Sequence, residues 1–169
     1  WNLTLMENAQ GEAIGLIGVG EDITDRIKYQ KSLIESESRY RDIFENAKDL
    51  IQIVDPKGKI LYVNQAWEKT LGYTEKDRNE ITLFDIIAPE DLQRGRKLIA
   101  SLFTKEKAID LAINFVAKKG HTVTLEGNMT CRCKDGIPHV TRGTFRDVTE
   151  KKKEEKINSL VYKIGRAHV

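Results

Sequence analysis

Two cysteines, three histidines and an acidic Asp-X-Thr element used twice are the residues of this chain whose types and spacing could do chemistry. Cys131 and Cys133 lie two apart in a strand-like run, so both side chains fall on one face and could meet a metal or a redox partner together. A structural zinc needs a second pair of ligands. The Cys-X-Cys pair therefore reads as small apolar residues packed on a sheet. His121 and His139 sit at or beside hairpin turns and His168 lies near the end of the chain, so all three read as solvent-facing. No Ser-His-Asp arrangement with a nucleophile elbow, no phosphate-cradling glycine loop and no metal-binding array occurs in the sequence. No catalytic residue and no metal ligand is assigned to this fragment, and it is not expected to be an enzyme by itself.

The acidic element remains, first as Asp22-Ile-Thr24-Asp25 and again as Asp147-Val-Thr149-Glu150, 125 residues apart. The similarity runs further back: NLTLMENAQGEAIGLIGVGEDIT and NMTCRCKDGIPHVTRGTFRDVT each begin Asn-X-Thr. Each then passes through a Gly-containing turn and a strand-like run to a Gly and the motif. A repeat with the span of one domain implies two domain ends, near Thr24 and near Thr149. Residues 1–24 then read as the C-terminal hairpin of an upstream copy, 25–40 as a linker helix, 41–149 as a complete domain and 150–163 as the start of an output helix. In both motifs the Asp or Thr can cap free helix amides, and an acid in the first turn suits the helix dipole. Strand thus converts directly to helix, which makes Asp22, Thr24, Asp147 and Thr149 the expected relay residues.

Hydrophobic residues make up 40% of the chain and charged residues 32%, enough apolar material for one modest core. Twenty-eight basic against 26 acidic residues leave a net charge of +2, without the basic stripe of a nucleic-acid surface. No apolar run approaches the roughly 18 residues that span a bilayer, and no signal peptide opens the chain, so no membrane contact is expected of this piece and it reads as cytoplasmic. The anchoring of a longer parent is left open.

The elements that must position these residues follow from the pattern. DLIQIVD, the turn PKGK and ILYVN predict a hairpin. Asn64 suits the N-cap of a helix QAWEKTL that Gly72 closes. Short helical pieces follow, and Pro89 opens a longer helix to about Phe103 with Leu92, Leu98, Ile99, Leu102 and Phe103 on one face. From Ala108 the period becomes that of strands, and turns at Lys118-Lys119-Gly120 and Lys134-Asp135-Gly136 predict a three-stranded meander.

The run from about Ser38 to Thr149 resembles a PAS domain with its C-terminal PAC motif, as found in tandem in bacterial signalling proteins. SRYRDIFENAKDLIQIVD, GKILYVNQAWEKTLGYTEKD, LFDIIAPEDL, KKGH, KDG and RDVTEKKK carry the resemblance in order. It implies an α+β fold: a five-stranded antiparallel sheet in spatial order 2-1-5-4-3, helices on one face, and a small cavity between them. Trp67, Leu83, Ile86, Phe115 and Met129 are the candidate cavity residues, and their plain alternative is core. Adduct-forming flavin is disfavoured because no Cys lies between Gly72 and Lys107, and haem because the helix from Pro89 to Phe103 has no His. The cofactor is therefore unknown, with a small non-covalent ligand and a ligand-free dimerising spacer both open.

After the first motif, Arg26, Tyr29, Leu33, Ser36, Tyr40 and Ile43 are spaced as a heptad seam, with Ile27 and Ile34 offering a competing register. The pattern fits a parallel coiled coil in a homodimer, or a single solvated helix. Downstream, EEKINSLVYK resembles the lead-in to a diguanylate cyclase, with a histidine kinase or a ligand-free interaction module as alternatives. The last six residues, 164–169, are expected to be a non-native tail: Gly165 should interrupt the helix, and the residues match a translated sequencing-adapter stretch, ATCGGAAGAGCACACGTC.

Overall fold

Alternating inward residues, apolar Leu50 and Val54 on either side of the buried Gln52 and again Ile113, Phe115, Val123 and Leu125, set the inward face of one sheet. The computed structural model describes residues 2–105, 108–134 and 137–166. The chain divides into two units, 1–41 and 42–169.

In the first unit, β1 (Asn2–Glu7) and β2 (Ala13–Val19) pair antiparallel, with Asn2 opposite Val19. Asn8 organises their turn, its Oδ1 accepting from the amides of Gln10 and Glu12 at 3.0 and 2.8 Å. Both strands are exposed throughout, leaving Leu3, Leu5, Leu16 and Ile17 uncovered. Helix α1 (Thr24–Glu45) then runs for 22 residues without one buried side chain.

The second unit opens with β3 (Leu50–Val54), β4 (Ile60–Val63), α2 (Gln65–Leu71), α3 (Glu75–Glu80), α4 (Leu83–Ile86) and α5 (Pro89–Lys105). It closes with β5 (Ile109–Val116), β6 (Thr122–Lys134), β7 (Ile137–Asp147) and α6 (Thr149–Arg166). The sheet order is β4-β3-β7-β6-β5, so the last strand slots beside the first, with Leu50 opposite Phe145. Numbered within this unit, that is the order 2-1-5-4-3 of the expected PAS fold. The predicted hairpin, the long helix and the meander are all present. The Asp135-Gly136 part of the last predicted turn lies outside the described residues.

One face of the sheet meets α2 to α5. Trp67, Leu71, Leu83, Ile86, Ile99 and Leu102 interlock with Val54, Phe115, Leu125, Met129 and Phe145 in a single buried cluster. Of the predicted apolar face of α5, Ile99 and Leu102 are buried, while Leu92 and Phe103 pack against the cluster. Two helix starts are fastened by short local carboxylates. Asp77 accepts from the amide and hydroxyl of Thr74, both at 2.7 Å, and Asp85 does the same for Thr82. Lys118 Nζ, from the loop after β5, adds bonds of 2.8 Å to both oxygens of Asp77.

Asn64 does more than cap α2. Fully buried, it accepts on Oδ1 from Trp67 N at 3.2 Å, as predicted, and also from Ile51 N at 2.9 Å. Its Nδ2 donates to the carbonyls of Phe44 at 3.1 Å and Asp49 at 2.9 Å. One amide thus fastens the end of α1, the start of β3 and the start of α2. Gly72 closes α2 at φ 78°, the left-handed geometry expected of it.

One sequence expectation is corrected. Gly165 does not interrupt α6, which continues to Arg166. A lone glycine costs a helix only about 1 kcal/mol relative to alanine, too little to end one. Residues 167–169, including His168, lie outside the described residues.

Two outcomes follow. Asn64→Ala should lose about 2–4 kcal/mol of unfolding free energy in urea titrations, since it removes a cap and orphans buried backbone groups. Asp77 is held below the usual carboxylate range, first by the Lys118 hydrogen bond and then by the Thr74 amide and hydroxyl. The fold favours its charged form, so its stabilisation is complete above the unfolded value of about 4 and is lost as the pH falls below that. The melting temperature should drop on acidification from about pH 5 to about pH 2, and Asp77→Asn should flatten that drop.

Candidate functional site

The inward sheet face and α5 do not close completely. Between them lies a cavity of about 10 Å³, lined by Gln52, Leu83, Leu98, Phe115, Met129 and Phe145 among others. That is space for about one water-sized group. Gly95 on α5 permits the close approach that forms its roof, since a Cβ there would stand 2.9 Å from Ile87 Cδ1. Of the five candidate cavity residues, Leu83, Phe115 and Met129 line the space. Trp67 and Ile86 are buried in the adjoining core without lining it.

Sequence reasoning missed the polar member of this wall. Gln52 occupies an inward position of β3 and is fully buried, its Oε1 accepting from Trp67 Nε1 at 3.0 Å. The available signal was a polar residue at an inward position of an alternating strand.

The Asp-X-Thr motifs behave alike locally and differently in their surroundings. Asp22 Oδ1 accepts from Thr24 N at 2.9 Å, and Asp147 Oδ1 accepts from Thr149 N at the same distance. The Thr24 bonds hold the Asp22 carboxyl below its ordinary range. In the second motif the Thr149 hydroxyl donates to Asp147 at 2.5 Å and accepts from Thr124 N, on β6, at 2.9 Å. Val148 N completes the joint by donating to Thr124 O at 2.9 Å. The expected capping by Asp147 is therefore present, but Thr149 ties the helix start to a neighbouring strand.

From Thr124 the bonding continues to the neighbouring strand β5. Its hydroxyl donates to Asn114 Oδ1 at 2.8 Å, and Asn114 is held at the start of α5 by its amide, which donates to Asp91 Oδ2 at 2.8 Å. The Asn114 carbonyl also accepts from Ala88 N at 2.8 Å. A continuous path of hydrogen bonds thus links α5, the cavity's roof, to the first residue of α6. Lys152 Nζ, one turn along α6, reaches Glu126 on β6 at 2.9 Å. That contact lowers the Glu126 carboxyl and raises the Lys152 amine.

The cysteines separate. Cys131 packs against the core cluster, as expected, whereas Cys133 is exposed. The reading of both as packed residues is corrected for Cys133: the β6–β7 register shifts between Arg132 and Cys133, interrupting the strict alternation, and Cys133 pairs with Pro138 beside the last pair of the ladder. His121 and His139 are exposed.

A sheet of this order with helices and a cavity on one face is the architecture of a PAS fold. The chain belongs to the PAS-fold family, whose pattern it matches over residues 38–148. It is 27% identical over 144 residues to the sensor histidine kinase TmoS of Ectopseudomonas mendocina, across 82% of this chain and 15% of that protein. To the Escherichia coli protein named "Probable diguanylate cyclase DgcE" it is 25% identical over 131 residues, across 76% of this chain and 12% of that one. The chain therefore spans less than a fifth of either relative. A PAS domain of an HTR-like protein from Haloarcula marismortui superposes with a TM-score of 0.62 at 23% identity, covering 71% of this chain and 98% of that domain. No described helix is long and apolar enough to cross a membrane.

If Thr149 ties α6 to the sheet, Thr149→Val should leave the Thr124 amide without its acceptor, at about 1 kcal/mol. Hydrogen exchange at that amide should accelerate roughly fivefold while core amides are unchanged.

Proposed function

We propose that this chain is a sensory and dimerising PAS module that relays a conformational change through its Asp-X-Thr helices to an output domain beyond the sequence. The observation that supports it best is the double attachment of Thr124 to Val148 and Thr149, because a shift of β6 must then move the start of α6. Asp147 and Thr149 form the outgoing relay, and Asp22 and Thr24 the incoming one. On this reading the exposed ribbon of β1 and β2 is the closing pair of an upstream copy, whose missing strands and helices would cover Leu3, Leu5, Leu16 and Ile17.

The helices suit pairing with a second chain. Ile157, Leu160, Val161 and Ile164 make an exposed apolar stripe at three- and four-residue spacing on α6, and α1 exposes Tyr29, Leu33, Tyr40 and Ile43 of its heptad seam. A parallel homodimer would cover both stripes and give the relay two alternative registers.

We assign a diguanylate cyclase as the output, on the lead-in EEKINSLVYK. A histidine kinase is the second reading, favoured by relatives such as TmoS. The parent is then an enzyme, although this module itself performs no chemistry.

The experiment is to place Asp147→Ala in the full-length parent and measure cyclase and autokinase activity beside the melting temperature of this domain. The lost cap should cost about 0.5–2 kcal/mol, leaving the domain folded while output activity changes. A folded variant with unaltered output removes the relay role.

A further inference from the structure

The last turn of α1, from Asp42 onward, belongs to the second unit, and there one side chain leaves the helix. Glu45 Oε2 accepts from Gln65 N, the first amide of α2, at 3.0 Å. Among the described hydrogen bonds and ion pairs, Glu45 is the one α1 side chain that reaches another helix or strand. A carboxylate is favoured in that place, because the first amides of a helix lack partners within it and form its positive end. The far end of α2 is fastened too. Leu71 O accepts from Lys118 N at 2.9 Å, and Tyr73, just past the Gly72 stop, donates its hydroxyl to Val116 O at 3.0 Å. Lys118 Nζ adds its two bonds to Asp77. The turn gripped in this way, between β5 and β6, is closed on itself by bonds from Ala117 N to His121 O and from Gly120 N to Ala117 O. Three residues beyond His121 the chain reaches Thr124.

We propose that Glu45 is a positioning residue that couples α1 to α2, and that α2 acts as a lever carrying a displacement of α1 to the β5–β6 turn and on to the Thr124–Thr149 joint. The proposal rests on the reading of the domain as a relay and gives that relay its input. The lever is short and firmly seated. Its 7 residues span about 10 Å. Trp67 and Leu71 are buried on it, so the close-packed core passes on a push instead of absorbing it. The route also runs outside the cavity: none of Glu45, Gln65, Leu71, Tyr73 and Lys118 lines that space. The state of an upstream domain would then reach α6 with no ligand bound.

The test follows backbone amides of the full chain by NMR hydrogen exchange in Glu45→Ala and in Glu45→Gln, which keeps an acceptor oxygen. Glu45→Ala should speed exchange at the Gln65 amide roughly fivefold, a loss that any local cap would show. The diagnostic amides are Lys118 N and Val148 N, at the two ends of the onward route. Both should change by about twofold or more. Ile51 N, held by Asn64 Oδ1 off that route, should stay as it is, and Glu45→Gln should restore the other three amides. Loosening the exit with Tyr73→Phe/Asp77→Asn should then remove most of the effect of Glu45→Ala on Val148 N but not on Gln65 N. A change confined to Gln65, or an undiminished effect on Val148 behind the loosened exit, overturns the proposal. A change confined to Gln65 together with altered output in Asp147→Ala removes the lever and leaves the outgoing relay, whereas coupled amides with unaltered output do the reverse.

Discussion

Four polypeptide segments converge on the side chain of Asn64, and the rest of the domain depends on their meeting there. A buried amide has two donors and a two-lone-pair acceptor, and Asn64 satisfies both sides with backbone groups of Phe44, Asp49, Ile51 and Trp67. Strands β3 and β4, the last turn of α1 and the start of α2 are set relative to one another by one residue. Aspartate in its place would lose the donors and bury a charge, and alanine would leave backbone groups of the chain reversal unpaired. Trp67, whose amide Asn64 caps, then reaches Gln52, so the clasp also orients the polar wall of the cavity.

Where β7 ends, α6 is held by neutral hydrogen bonds more than by charge. The Lys152–Glu126 contact is short, but both side chains are substantially exposed, and such pairs contribute about 0–1 kcal/mol. The Val148–Thr124 and Thr124–Thr149 bonds are shielded between strand and helix and have fixed directions, so they determine where α6 starts. A joint of a few modest bonds suits a relay, since it positions a helix without locking it against displacement. The ion pair adds direction along the first turn.

The two Asp-X-Thr motifs show how context separates a local structure from a function. Their Asp-to-Thr amide bonds have equal length, because two residues of spacing and an acidic side chain suffice to make them. Only the second motif shows its threonine hydroxyl engaged by a strand among the described bonds, because there the sheet supplies an amide, Thr124 N. In relatives that are sensor kinases and cyclases, modules of this kind stand within much longer chains.

The order of strands and helices, the cap at Asn64, the stop at Gly72 and the dual use of Asp-X-Thr were all legible in the sequence, because each depends on residues within a few positions of one another. The resemblance likewise marked Phe115 and Met129 as cavity or core residues, although not which of the candidates would border a space and which would fill one. That choice belongs to the packing of α5, where Gly95 sets the approach, leaving Leu83, Phe115 and Met129 on the cavity and Trp67 and Ile86 in solid core. The different fates of Cys131 and Cys133 also required the fold, since the sequence does not show the register shift between Arg132 and Cys133 that interrupts strand alternation. Gln52, Asn114 and Thr124 acquired their roles only in three dimensions. Their partners come from other strands and helices, and hydrogen bonds between distant segments leave no period in the sequence.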